Sequence, residues 1–246
     1  MPRTRRRYLA SLAAVGTAGT AGCLDGVPGL GDDRTALDPP EQTRGDPIHP
    51  IHGEAFPAFE LPDPFAGSPV SLEALRGTPF VMTFIYTSCT DQCGTLMQLL
   101  RLIQSDAAGR GYSDDIELLA MTFDPETDTE AELRSYAELF DMDPTGGNFR
   151  FLRPETNDEA LEVVNEEFGV PAEVHDHGGD DDGHSHGDHD DDDGENGHEA
   201  GPGVHYYMLF LVNGEGVVER SYPNVVGARE ETRPNAIIED VRTVVE

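Results

Sequence analysis

Apolar positions along the chain fall into short continuous runs that alternate with segments of helical period. Phe80-Val81-Met82-Thr83-Phe84-Ile85-Tyr86 is aromatic, β-branched or apolar almost throughout, the pattern of a strand covered on both faces. Leu96, Leu99, Leu100 and Ile103 then recur at helical spacing and predict a helix over about 91–108. Ile116 to Phe123 is a second buried strand, ending at Asp124-Pro125. Thr129 and Glu132 form a capping box for a helix with Leu133, Tyr136, Ala137 and Phe140 on one face. Phe149–Leu152 reads as a short strand, and Asn157–Phe168 as an amphipathic helix closed by Gly169 and Pro171. His205–Val212 is apolar again, and Asn213-Gly214-Glu215-Gly216 turns it into Val217–Tyr222 as a hairpin. Pro234–Val245 predicts a last helix. Upstream, Ala55–Leu61 reads as extended, and Ser71–Gly77 as a brief helix with a Ser cap and a Gly stop.

Strands alternating with helices, then a hairpin and a final helix, predict an α/β domain with a central mixed sheet. The order β-α-β-α-β-β-α, with extra N-terminal pieces, is the thioredoxin-like arrangement. The domain is expected over 55–246, interrupted at 175–203 by a stretch of His, Asp, Gly and Glu without apolar period, which reads as a disordered insertion. Residues 24–54, rich in Gly, Pro and Asp, read as a flexible tether, with His49 and His52 as solvated linker residues.

The N-terminus changes this picture from a free domain to an exported one. Residues 1–22 hold four Arg, no acid and a short run of small apolar residues, an export signal. Thr4-Arg5-Arg6-Arg7-Tyr8-Leu9-Ala10 resembles a twin-arginine motif, which routes proteins that fold before export. Thr20-Ala21-Gly22-Cys23 resembles a lipobox, although Thr20 stands where Leu is usual. Cleavage before Cys23 and lipidation of its thiol would leave the chain tethered to the outer face of the cytoplasmic membrane, and would account for the odd cysteine among three.

Charge narrows the partners. The formal net charge is −32 over 246 residues, and every one of the sixteen basic residues is Arg. Only eleven of the 48 acids fall in 175–199, so the excess is spread over the folded part. Dispersed acids without Lys suit a surface working in very high salt, where the charges are screened and hydrated. Nucleic acid is excluded as a partner, since no basic patch could neutralise phosphates.

The chemistry gathers where the first buried strand meets its helix. Cys89 and Cys93, spaced four apart, are expected in the first helical turn, where both sulfurs share a face and backbone N–H groups favour thiolate. A purely structural thiol pair is the bland reading; the loop-to-helix position favours function. Such a pair can form a disulfide or hold a soft metal. The three-residue spacing and the absence of Trp separate it from ordinary redox thioredoxins. His205 opens the late strand. Two thiolates and an imidazole would suit copper in both oxidation states, though a strand-end His is more often structural. Met97, one turn past Cys93, reads as a core residue rather than a thioether ligand.

These motifs together resemble the Sco/SenC family of copper-binding, thioredoxin-like proteins of cytochrome oxidase assembly. The likeness rests on the strand running into Cys89-x-x-x-Cys93, on Thr122-Phe123-Asp124-Pro125-Glu126-Thr127-Asp128-Thr129, and on His205 before an apolar strand and an Asn-Gly-Glu-Gly turn. It implies copper as the metal, Cys89, Cys93 and His205 as its ligands, Asp124 as a neighbouring group beside the site, and apo cytochrome oxidase subunit II as the acceptor. The chain departs from the family in having Thr90 and Gly94 where Pro is usual after each Cys, and Val204 where Asp usually precedes the His. The resemblance allows two roles for the pair: a metallochaperone, or a thiol–disulfide oxidoreductase that reduces the acceptor's cysteines. A peroxiredoxin-type peroxidase fits less well, because the Pro-x-x-x-Thr-x-x-Cys setting is absent. The insertion's His175, His177, His184, His186, His189 and His198 form an auxiliary metal-collecting arm ahead of His205 in this reading.

Overall fold

The computed structural model describes residues 34–41, 45, 47–89, 93–173, 207–225 and 232–246. Its centre is a five-stranded sheet. β3 (Phe80–Ile85) lies in the middle, with β4 (Glu117–Thr122) and β5 (Phe149–Leu152) parallel to it on one side; on the other, β6 (Leu209–Val212) is antiparallel to β3 and β7 (Val218–Tyr222) antiparallel to β6. Ahead of it, β1 (Glu60–Pro62) and β2 (Pro69–Ser71) form a separate antiparallel pair. The helices are α1 (Cys93–Arg110), α2 (Glu130–Glu138), α3 (Asn157–Glu162) and α4 (Pro234–Val245).

Both faces of the sheet are covered, which is why β3 reads as unbroken apolar sequence. Side chains of a strand alternate between faces. Val81 and Ile85, with Leu118, Ala120, Leu209 and Leu211, meet Leu96, Leu100, Ile103, Leu133 and Val241 from α1, α2 and α4. Phe80, Met82 and Phe84, with Leu119, Met121 and Phe210, meet an aromatic layer that includes Phe56, Phe59 and Phe168. Phe56 stacks on Phe168 with centroids 5.2 Å apart and stands edge-on to Phe80 at 5.4 Å. The one polar side chain within β3, Thr83, is fully buried and donates its hydroxyl to Met208 O at 2.7 Å.

Several local expectations are corrected. In the expected helix Ser71–Gly77, Ser71 ends β2 and 72–77 is a succession of turns; Ser71 Oγ accepts from Ala74 N at 3.1 Å without a helix following. α3 continues as a π-helical turn, Val163–Glu167, which brings Phe168 into the core. Gly169 follows at φ +62°, and a side chain there would strike the backbone of Ile48 as that segment crosses it.

That crossing bears on the expected tether. Its described stretches, 34–41 and 47–54, are attached to the domain. β7 carries a bulge: Leu211 pairs with Arg220 and Val212 with Val218, leaving Glu219 as the extra residue. Its carboxylate is completely buried and accepts from Ala36 N at 2.9 and 3.0 Å, Leu37 N at 2.9 Å and Asn213 Nδ2 at 2.6 Å. Gly53 N donates to Val218 O at 2.9 Å. His49 and His52 are therefore partly buried structural residues, not solvated ones. His52 Nδ1 lies 2.9 Å from Glu219 O, and the His49 ring stands 6.0 Å from Phe210. Val212 faces Phe80, so this clasp sits at the N-terminal end of β3, the pole opposite its C-terminal end.

Candidate metal centre

β3 ends at Ile85, and the next four residues turn the chain toward α1. Cys89 N closes that turn on Tyr86 O at 3.3 Å. Cys89 lies in the turn, not in the helix; Cys93 is the first residue of α1. The shared helix face expected for the pair is thus replaced by a loop residue meeting a helix residue. The sulfurs still come together. No disulfide joins the two cysteines; Cys89 is half-buried and Cys93 fully buried. A hydrogen bond from the Cys93 thiol to Cys89, then burial and the Cys89 charge, push the Cys93 thiol far above its usual range. In the metal-free protein Cys93 therefore keeps its proton, and Cys89 is the sulfur that solvent reaches.

The group that holds the turn is Asp128. It is fully buried, and its two oxygens accept from Thr87 N at 3.0 and 3.1 Å. The hydroxyls of Thr87 and Thr122 donate to the same carboxylate. Burial raises its pKa, and the threonine hydrogen bonds oppose that rise. The residue reaches this position because the chain after β4 folds back on itself: Asp128 N donates to Asp124 O at 2.8 Å, and Arg153 spans the turn with hydrogen bonds to Asp128 O at 2.8 Å and Pro125 O at 2.7 Å. Asp124 is buried next to it, but its Oδ1 accepts from Asn157 Nδ2 at 2.9 Å, tying the turn to α3. The sequence stretch 122–129 contains both acids. The Asp-Pro step draws attention to Asp124, whereas the carboxylate four residues later grips the cysteine turn.

The end of α2 and the turn that follows it pack against the start of α1. Phe140 lies against Gly94, 3.6 Å from where a side chain would start, and its ring is 5.2 Å from that of Tyr136. Tyr136 is buried, and its hydroxyl finds no hydrogen-bond partner among the described residues. Burial raises its pKa above the usual tyrosine value. The helical spacing marks Tyr136 only as a core residue; its hydroxyl is the feature that periodicity cannot rank. Met97 is fully buried in the core beneath the sheet, as a packing residue would be.

Cys23, His205 and the six histidines of 175–199 lie outside the described residues. What is described is where β6 starts: Leu209 faces Thr83 in antiparallel register, so the beginning of β6 is at the end of β3 that leads into the cysteine turn. Two hydrogen-bonded thiols of unequal exposure, one in the turn and one at the start of α1, can bind a soft metal on ionisation or exchange with a disulfide.

Comparison with known proteins agrees with this architecture. A SCO1/SenC lipoprotein from Bacillus anthracis superposes with a TM-score of 0.58 at 18% identity, covering 79% of this chain and 96% of that one. BsSco, a member of the Sco family of cytochrome c oxidase assembly proteins, gives 0.54 at 22% identity over 83% of this chain and 98% of its own. Copper-bound yeast Sco1 gives 0.51 at 20% identity over 77% of this chain and 90% of its own. At these identities the likeness is one of fold. A Stutzerimonas stutzeri protein named for copper binding is 29% identical over 119 residues, which span 48% of this chain and about half (53%) of that relative. The family model for SCO1/SenC matches residues 53–246, the whole sheet with all its helices, and the chain belongs to the SCO1/SenC family.

Proposed function

We propose that this protein is a copper metallochaperone that binds Cu(I) and Cu(II) through Cys89, Cys93 and His205. The observation that carries the reading is the pair of unequally exposed thiols at the end of β3. The copper-bound family member with the same fold supports it. Copper enters as cargo. Cys89, which solvent reaches, is the first sulfur to engage it; Cys93 follows by giving up its thiol proton, so loading releases protons and weakens at low pH. An acceptor thiolate then replaces the protein's ligands one at a time, beginning with Cys89. By family, the acceptor is apo cytochrome oxidase subunit II at its binuclear copper site. The clasp at Glu219 fixes residues 36 and 37 at the pole away from the cysteines, and lipidation at Cys23 as the membrane anchor is part of the proposal. The arm with His175, His177, His184, His186, His189 and His198 collects metal for the site in this reading; if deleting 175–199 leaves loading unchanged at limiting copper, the arm has no such role.

The thiol–thiol hydrogen bond also suits a second role, reduction of the acceptor's cysteines. Cys89 thiolate would attack the acceptor disulfide, and Cys93 would then displace the second thiol. The protein would be left as its disulfide and the acceptor as a dithiol, two electrons and two protons having moved. One experiment separates the two readings. The reduced protein is loaded with Cu(II), and sulfur-to-copper charge-transfer absorption is recorded for it and for Cys89→Ser, Cys93→Ser and His205→Ala. Loss or displacement of the band in all three is expected. Unchanged binding in the variants would overturn the ligand assignment. No copper binding combined with disulfide reduction would leave only the oxidoreductase.

A further inference from the structure

Acids are spread over the folded part of the chain but are nearly absent from the stretch that carries the cysteines. Asp91 is the only charged residue between Arg76 and Arg101, 24 positions in a chain whose charged fraction is 26%. Burial of β3 accounts for six of the neutral positions, but not for the exposed ones: Ser88 in the turn and Thr95 in the first turn of α1 are uncharged as well. Half-buried rings stand at the same end of the sheet. Tyr86 follows β3 directly and is edge-on to Phe123 at 5.0 Å, and Phe140 lies 3.6 Å from where a Gly94 side chain would start. Next to Phe140, Leu139 is 76% exposed; Ile48 and Leu102 are the other large apolar side chains that reach solvent to this degree among the described residues. Exposed Glu138 and Asp141 flank the Leu139-Phe140 pair, so a neutral, partly aromatic centre gives way to acids. A binding face has this anatomy: its centre is depleted of charge and enriched in aromatic side chains, and its rim is polar.

We infer that Leu139, Phe140, Tyr86 and the cysteine turn form the docking surface for the copper acceptor, and that the acceptor meets it with apolar side chains around its own metal site rather than with a basic patch. The inference rests on the copper reading given above and adds the chemistry of the partner. Handover needs an acceptor thiolate to reach a metal held at Cys89, which is half-buried in the turn, so the acceptor has to cover the surface beside it. A standard interface occupies about 800 Å² on each partner, a disc roughly 30 Å across. Seated over the turn, such a disc takes in the end of α2, because Phe140 already touches the start of α1. A single exposed leucine elsewhere would need no explanation; this one stands on the face that the acceptor must cover. The reading of the acidic surface as one for very high salt points the same way. At 1 M salt charges are screened within about 3 Å, so ion pairs hold a partner weakly. Apolar burial is not screened and is left to hold the two proteins together.

The test uses the full chain, loaded with Cu(I), and two recipients: purified apo cytochrome oxidase subunit II, which has to dock, and the small chelator bathocuproine disulfonate, which does not. Rates of copper handover to each are measured for the unsubstituted protein, Leu139→Ser, Leu139→Met and Leu102→Ser. Leu139 is exposed, so its replacement leaves the core intact. Leu139→Ser should slow handover to subunit II about tenfold at low acceptor concentration, the loss of one apolar side chain from an interface, and leave handover to the chelator and the Cu(II) charge-transfer band unchanged. Leu139→Met, apolar and of similar volume, should keep the parental rate. Leu102→Ser removes an exposed leucine nine residues beyond Cys93 on α1 and should change neither rate. Raising KCl from about 0.5 to about 3 M should not slow handover to subunit II. A parental rate to subunit II in Leu139→Ser, or a steep fall with salt, overturns the inference and leaves the copper site standing. Slower handover to both recipients overturns it too, since Leu139 would then act on the site and not on docking. An unsubstituted protein that gives no charge-transfer band defeats the copper reading itself, and one that loads copper and passes it to the chelator alone defeats the acceptor.

Discussion

Replacing Asp128 should damage the cysteine turn before it damages the fold. The carboxylate is completely buried and takes the Thr87 backbone N–H on both oxygens, with the hydroxyls of Thr87 and Thr122. Asp128→Ala strands the Thr87 N–H and the Thr122 hydroxyl; Thr87's own hydroxyl, in a half-buried residue, can turn to water. Two stranded buried donors at about 1–3 kcal/mol each, less the relief of no longer burying a charge, give a loss of about 3 kcal/mol. Asp128→Asn keeps an acceptor for the Thr87 N–H, and the threonine hydroxyls can rotate to accept from the new amide, so its loss should be about 1 kcal/mol. The assay is equilibrium unfolding in guanidinium followed by far-ultraviolet circular dichroism, because the chain has no Trp. Alongside it, the rate at which a thiol reagent modifies Cys93 reports the turn directly: freeing Thr87 lets the 86–89 loop open over the buried sulfur, and the rate should rise more in the Ala variant than in the Asn variant. An Ala variant within 0.5 kcal/mol of the parent, with Cys93 still protected, would refute the assignment of Asp128 as the group that holds the turn.

In the unsubstituted protein, brief alkylation of the reduced chain followed by peptide mass spectrometry should label Cys89 at least tenfold faster than Cys93, since burial and the thiol–thiol hydrogen bond both protect the latter. Glu219→Ala should release the segment 34–41, seen as new proteolytic cleavage there, at a stability loss of about 2–3 kcal/mol; the loss is limited because the freed backbone N–H groups can reach water once the segment detaches. Asp106 accepts from Arg242 Nε at 2.9 Å and Nη2 at 2.6 Å, joining α1 to α4, and this pairing holds its carboxyl well below the usual 3.8. A depressed carboxyl contributes stability that is present above that ordinary value and disappears as the pH falls below it. Arg242→Gln should therefore be less stable than the parent at pH 7, and the difference should close on acidification below about pH 4.

Strands β3, β4, β5 and β6 and helices α1, α2 and α4 are where hydrophobic period places them, because period reports which side faces a core and each of these elements has one. Ser71–Gly77 has the cap and the stop of a helix but only one turn between them, too little to repay nucleation. Segments 34–41 and 47–54 lack period and read as tether, yet backbone N–H groups can dock on a buried carboxylate without any apolar pattern.

The sequence by itself determined the α/β order, the paired cysteines at the end of the first central strand, and the resemblance that the family match then bore out. These are local features, written in neighbouring residues. Only the tertiary structure decided that Cys89 lies in the turn and Cys93 in the helix, and that Asp128 is the carboxylate gripping that turn. It alone sent Glu219 inward through a bulge, and it alone left the buried Tyr136 hydroxyl without a hydrogen-bond partner among the described residues. Each of these depends on a contact between residues far apart in the chain, where burial removes water and forces every polar atom to find a partner or go without. No spacing rule along one stretch of sequence carries that information.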